Sequence, residues 1–207
     1  MTSLYLMSLH RMIERQNLCG NVMAQPFFPC FAWQCESPVE PKVLLPKFLE
    51  LRPDSQWVLI GEGCAQSNLQ LWTAWNCASR RWLRSTALAR SLDAEFLRYL
   101  SGTHHVSEAF KRAGVRRNDT AGYLLYLPNT SNTDKDQADC SPIDFDATEL
   151  EMQAISLLDN LKLETKSFQY ELSKEGAIRL GVRFENDQEQ LTEQTLIGHI
   201  ISAEFTS

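Results

Sequence analysis

No apolar run in this chain of 207 residues approaches the roughly 20 that a membrane-spanning helix needs, so no membrane partner is expected. The longest apolar stretch among the first 25 residues, 4–7, is too short for the apolar region of a secretory signal. The expectation is instead that the natural start is Met23, with residues 1–22 an extension that is disordered or mis-assigned. Cysteine is scattered: Cys19, Cys30, Cys35, Cys64, Cys77 and Cys140 show neither the paired spacing of a zinc site nor the density of a secreted disulfide scaffold. A reducing cytoplasm is the expected compartment, with the nucleus added for a eukaryotic source. A phosphate-cradling loop is missing, because Gly61 and Gly63 are followed by no third glycine and no Lys-Ser/Thr pair. No internal repeat is visible.

What is present is enough for one well-packed domain. Five Trp and ten Phe supply large apolar surfaces, so stability needs neither disulfides nor a structural metal. Acidic residues outnumber basic ones by 26 to 20, but unevenly. Residues 80–117 hold nine basic and three acidic residues, while residues 118–207 hold six basic and seventeen acidic. The basic residues of the first stretch are Arg80, Arg81, Arg84, Arg90, Arg98, Lys111, Arg112, Arg116 and Arg117. Such a cluster has the electrostatics of a footprint for phosphate or an acidic partner, against the plainer alternative of a solvated helical face.

Periodicity predicts strands and helices in alternation. Residues 27–33 read as a first strand, confined to a sheet edge by Pro29, and residues 57–60 as a buried strand ended by Gly61 and Gly63. Between them a short helix is predicted from Pro46 to Leu51. Ser67 caps a helix whose Leu71, Trp75, Ala78 and Trp82 share a core-facing stripe. Ser91 opens a second helix ended at Gly102, and Thr103 caps a third ended at Gly114. Residues 121–127 form a strand, and residues 129–146 a mobile acidic insertion. A capping pattern at Asp146 or Thr148 precedes a helix with Leu150, Ala154, Leu157, Leu158 and Leu161 on one face. Strands are predicted at 167–172, at 177–184, where Gly176 and Gly181 leave helix open, and at 196–205. The fold class expected is α/β or α+β: a single domain, residues 23–207, with a mixed sheet covered by helices.

Catalytic chemistry finds little footing. His104 and His105 sit beside Glu108 at a helix start, but adjacent histidines point different ways and would need further ligands to hold a metal. Neutral hydrogen-bonding side chains fit them better, since a helix N-terminus disfavours the cation. Cys64 lies between a strand and a helix, where a thiol can be activated, yet a buried packing role is the simpler reading. No cofactor, metal or small-molecule substrate is expected, and no enzyme activity.

Residues 91–115, SLDAEFLRYLSGTHHVSEAFKRAGV, carry a resemblance. A helix with Glu95, Leu97 and Tyr99, the Ser101-Gly102 break, Val106, Glu108-Ala109 and the terminal Gly114-Val115 follow one another as in the kinase-binding subunit family of the KEOPS/EKC complex, the family of the PRPK-binding protein. Residues 57–65 and the helix with Ala74 and Ala78 are similar too, so the likeness spans about residues 57–127. The chain departs from the family at His104-His105, at Gln70 and at Gly198-His199. The resemblance implies a non-catalytic subunit that binds the small PRPK-type protein kinase of KEOPS and supports threonylcarbamoyladenosine modification of tRNA. It further implies contact with tRNA, for which the basic stretch offers Arg80, Arg81, Arg84, Arg112, Arg116 and Arg117, with His104 and His105 for hydrogen bonds. An independent RNA-binding protein is the competing expectation.

Overall fold

The structure, a computed structural model, describes residues 27–131, 140–186 and 188–205. Its centre is a four-stranded sheet of β1 (Cys30–Gln34), β2 (Trp57–Gly61), β3 (Ala121–Tyr126) and β6 (Glu164–Lys166) in the order β2-β3-β1-β6. Every ladder is antiparallel, which makes the fold α+β. Register follows from the alternation of side chains across a strand. Phe31, Trp33, Trp57, Leu59 and Leu124 face one side; Ala32, Val58, Ile60, Tyr123 and Leu125 face the other. Gly122 pairs with both Trp33 and Gly61, and a Cβ there would collide with the Trp33 ring and the Ile60 carbonyl.

Helices cover both faces. On the Trp33 side lie α1 (Pro41–Leu51) and α5 (Ala147–Leu161), the latter capped by Asp146, which accepts from Thr148 and Glu149 N–H groups. The predicted α5 stripe is buried throughout. On the Leu125 side lie α2 (Asn68–Leu83), α3 (Leu92–Leu100), α4 (Val106–Ala113) and α7 (Glu193–Ser202), with α6 (Lys174–Leu180) packed against α4. Ser67 caps α2 by accepting from Gln70 N–H, as its position implied.

Several expectations need correction. The β1 ladder starts at Cys30, just past Pro29, so β1 sits inside the sheet; Pro29 lacks a donor but its carbonyl accepts from Tyr126. Helix α1 begins at Pro41, whose missing N–H is not needed at the first helical position, and continues through the exposed Pro46, which removes one amide hydrogen bond from the helix interior. Thr103 does not cap α4: the N-cap is His105, whose N–H donates to Thr103 Oγ1 at 3.2 Å. The strand expected at 167–172 is displaced to β6. Residues 174–180 are helical because the Ser173 hydroxyl caps them at Gly176 N–H and Gly181 closes them at φ 104°. The predicted final strand is α7, started by a reciprocal Thr192–Thr195 capping box that outweighs its β-branched residues. Within the expected insertion, residues 132–139 lie outside those described, while β4 (Thr130–Ser131) pairs with β5 (Ser141–Pro142) and Cys140 is buried. Residues 1–26 likewise lie outside.

Candidate docking surface

Helix α2 carries the first group of predicted site residues on its last turn, where the helix dipole favours cations. Its inward stripe ends at Ala78 and Ser79, so Trp82, expected in the core, projects past the core edge and is 42% exposed. Arg81 pairs with Glu204 at 3.2 Å and donates through Nε to the Thr86 carbonyl at 3.1 Å. Glu204 follows α7 and also accepts from the Tyr99 hydroxyl. Burial, then this bond to Glu204, pushes the Tyr99 pKa up to about 12, so it stays a donor at neutral pH.

Beneath that bridge is a buried ion pair. Arg98 and Glu95, one turn apart on α3, meet at 2.7 Å with both side chains fully excluded from solvent. Arg98 spends its remaining donors on the carbonyls of Thr103 at 3.1 Å and Ala203 at 3.3 Å, and its guanidinium lies 4.2 Å from the Tyr99 ring centre. The second Glu95 oxygen accepts from the N–H groups of Leu88 and Ala89. Each charge thus has the partners that make burial tolerable. The consequence is geometric: the α2–α3 loop, the α3–α4 junction and the end of α7 are fastened to one side-chain pair.

The elements so fastened display large apolar side chains outward. Besides Trp82, Leu88 is 49% exposed, Ile201 43% and Phe205 79%. Ile201 lies one turn before Glu204, and Phe205 follows it directly. Aromatic and aliphatic groups exposed to water next to cations are the usual makings of a protein-binding surface.

The predicted basic residues separate into two places. Arg80, Arg81, Arg84 and His104 gather at the α2/α7 end. Arg84 is exposed, Arg80 is half-buried with its Nε in the interior lacking a hydrogen-bond partner, and His104 Nε2 is likewise enclosed without one. Burial, then the charges of Arg98 and Arg81, lowers the His104 pKa, so the ring is neutral at pH 7. His105 is exposed at the α4 N-cap. Arg112 instead pairs with Glu108 at 3.0 Å and donates to the Ser101 carbonyl at 3.0 Å. Arg116 donates to the carbonyls of Lys111, Arg112 and Arg179, a structural employment at the end of α4. Arg117 remains largely in solvent, 3.2 Å from Glu40.

Sequence reasoning missed the residues that organise both places. Arg179 grips Asp119 in a bidentate pair at 2.6 and 2.7 Å and donates to the Gly114 and Arg112 carbonyls, locking α6 to α4 and β3. No local pattern announces a pair 60 residues apart. The Glu95–Arg98 pair did leave a signal: two charges at i, i+3 inside the otherwise apolar run from Ala94 to Leu100. Cys64 is fully buried, and that burial pushes its thiol up to about 12, the opposite of an activated nucleophile. Among the described residues no cluster of three or more His, Cys, Asp or Glu could hold a metal, and no helix is long and apolar enough to cross a membrane.

Comparison with known families returns one description: residues 41–203 match the model for the kinase binding protein CGI-121. The match runs from the first turn of α1 to the Ala203 carbonyl that Arg98 holds, wider than the likeness read from the sequence. No curated protein matches the chain.

Proposed function

The chain belongs to the CGI-121 family of kinase-binding proteins, and on that premise we propose that it is the non-catalytic kinase-binding subunit of a KEOPS complex. It docks the small PRPK-type kinase and supports threonylcarbamoyladenosine formation in tRNA. The observation that carries the reading is the α2/α7 end, where Trp82, Leu88, Ile201 and Phe205 stand in solvent on a buried Glu95–Arg98 and Tyr99–Glu204 framework. Exposed apolar side chains flanked by Arg81, Arg84 and Glu204 suit a protein partner, because aromatic anchors supply buried area on binding and the charges set orientation. Contact with tRNA is part of the same proposal, drawing on Arg84 and His105 at one end of the basic stretch and Arg117 at the other, all solvent-facing.

The test is co-elution of this chain with purified PRPK-type kinase after nuclease treatment, with Trp82→Asp and Ile201→Glu as variants. Binding without RNA, weakened more than about tenfold by either variant, supports the reading. Failure to bind the kinase, combined with retained affinity for tRNA, leaves an independent RNA-binding protein as the better account.

A further inference from the structure

The chain between β6 and α6, residues 167–172, belongs to neither element. It alternates like a strand, with Phe168 and Tyr170 half-buried and Ser167, Gln169 and Glu171 exposed, yet it makes no ladder. Among the described residues, no backbone N–H or carbonyl of residues 168–172 bonds to another backbone group. Rings hold the segment instead. Phe168 meets the Tyr123 ring edge-on at 5.3 Å and the Tyr170 ring at 5.2 Å. Tyr170 packs against the Leu125-side core, and its hydroxyl hydrogen-bonds the sulfur of Cys30, the residue that opens β1.

Both ends of the segment are anchored. Lys166 closes the β6 ladder opposite Ala32. At the other end Ser173 N–H donates to Gln66 Oε1 at 2.9 Å, and the Ser173 hydroxyl caps α6. Gln66 is buried and its side-chain amide donates to the Gly63 carbonyl at 3.0 Å, so this anchor is part of the turn between β2 and α2. Fixed ends limit the chain entropy gained when the middle lifts and keep reclosure local. Burial holds the Cys30 thiol far above the ordinary cysteine range, so the closed form presents no thiolate at neutral pH.

We propose that residues 167–172 form a strap that lifts off the sheet as a local unit, with the rest of the domain folded, and uncovers Cys30 and the Tyr123 ring. Opening forfeits the Tyr123–Phe168 contact, the packing of Tyr170 and one side-chain hydrogen bond, but no backbone hydrogen bond of residues 168–172. The helices over the same face stay in place, because α2, α3 and α7 bury apolar residues in it. Open, the strap exposes part of the Leu125-side core beside an ordinary thiol; closed, it hides both.

The test is thiol labelling of the full chain with methyl methanethiosulfonate, followed cysteine by cysteine through mass spectrometry of its peptides. Cys64, fully enclosed in the same core cluster, reports global unfolding. Cys30 is expected to react at least about a hundredfold faster than Cys64, at a rate nearly independent of urea below the unfolding transition, while Cys64 labelling rises steeply with urea. A bulky maleimide dye, normalised to free cysteine, should reach Cys30 within about threefold of the small reagent, because a lifted strap admits both. Phe168→Ala and Tyr170→Ala should each raise the ratio of Cys30 to Cys64 labelling about tenfold, and Tyr170→Phe, which loses only the hydroxyl, should raise it less. Equal rates and equal urea dependence for the two cysteines, access for the small reagent alone, or a ratio unmoved by both alanine variants would each overturn the strap.

Discussion

Arg98 and Ala203 are 105 residues apart in sequence and meet in the core, where Arg98 Nη1 donates to the Ala203 carbonyl at 3.3 Å. The contact ties the end of the C-terminal helix to α3, and it exists only because Glu95 neutralises the guanidinium at the same point. The end of the molecule proposed for docking therefore rests on a charged pair as well as on apolar packing.

Removing one partner of that pair strands the other in the core. Arg98→Ala is expected to destabilise the fold by about 3–5 kcal/mol, read as a lower urea midpoint, because the Glu95 carboxylate would remain buried without its cation. Replacing both, Glu95→Leu with Arg98→Met, should recover most of that loss while loosening the end of α7, because no donor then reaches the Ala203 carbonyl. Kinase affinity separates the two roles: the double variant should fold yet bind more weakly.

His199 links stability to acid. Burial, its largest influence, holds its pKa below the ordinary histidine value against opposing hydrogen bonds to the Leu180 and Ser101 carbonyls, with the nearby Arg112 charge adding to the depression. A base whose folded pKa is depressed binds its proton more readily when unfolded. Its stabilisation is thus complete above about pH 6.5 and is lost as the pH falls through the folded value. His104, lowered by burial and by Arg98 and Arg81, acts in the same direction. Thermal midpoints should drop between pH 7 and pH 5, and His199→Gln should reduce that slope. A pH-independent midpoint in the parent chain would refute the linkage.

The two halves of the basic stretch should respond differently to charge reversal. Arg84→Glu acts on an exposed side chain, so stability should hold within about 0.5 kcal/mol. Under the proposed tRNA contact, the slope of log affinity against log salt should fall by about 1. Arg116→Glu removes a donor from three exposed backbone carbonyls and should instead cost roughly 0.5–1.5 kcal/mol of stability. Equilibrium unfolding and tRNA titration on both variants separate the cases.

How much of this could be read from the sequence depended on whether the signal was local. Helix α5 was legible because its cap, Asp146, and its apolar stripe lie within 16 residues; α2 was legible for the same reason, apart from Trp82, where the stripe outruns the sheet it covers. The C-terminal helix was misread because Ile197, Ile200 and Ile201 speak for a strand, and the contrary evidence was a Thr192–Thr195 pair rather than the usual Ser/Thr with Glu. Counting charges found the basic stretch but not its use. Arg112 and Arg116 are occupied by backbone carbonyls, acceptors that every residue possesses and composition does not record.

Two glycines in the same neighbourhood should answer oppositely to alanine. Gly102 ends α3 at φ 54°, and a Cβ there would fall on the His199 imidazole, so Gly102→Ala meets both backbone strain and a side chain held by the Leu180 carbonyl. The imidazole cannot retreat without giving up that hydrogen bond, and a loss of about 2 kcal/mol or more is expected. Gly198, on α7 next to that same histidine, has nothing within 4 Å of where its Cβ would stand and is exposed within a helix. There the added methyl restricts the unfolded chain and clashes with nothing, so Gly198→Ala should stabilise by roughly 0.5–1 kcal/mol. Because α7 carries Ile201 and leads into Phe205, the stabilised variant also tests whether a firmer helix improves kinase binding: unchanged or tighter affinity is expected, and a marked loss would mean that the docking surface needs α7 to move.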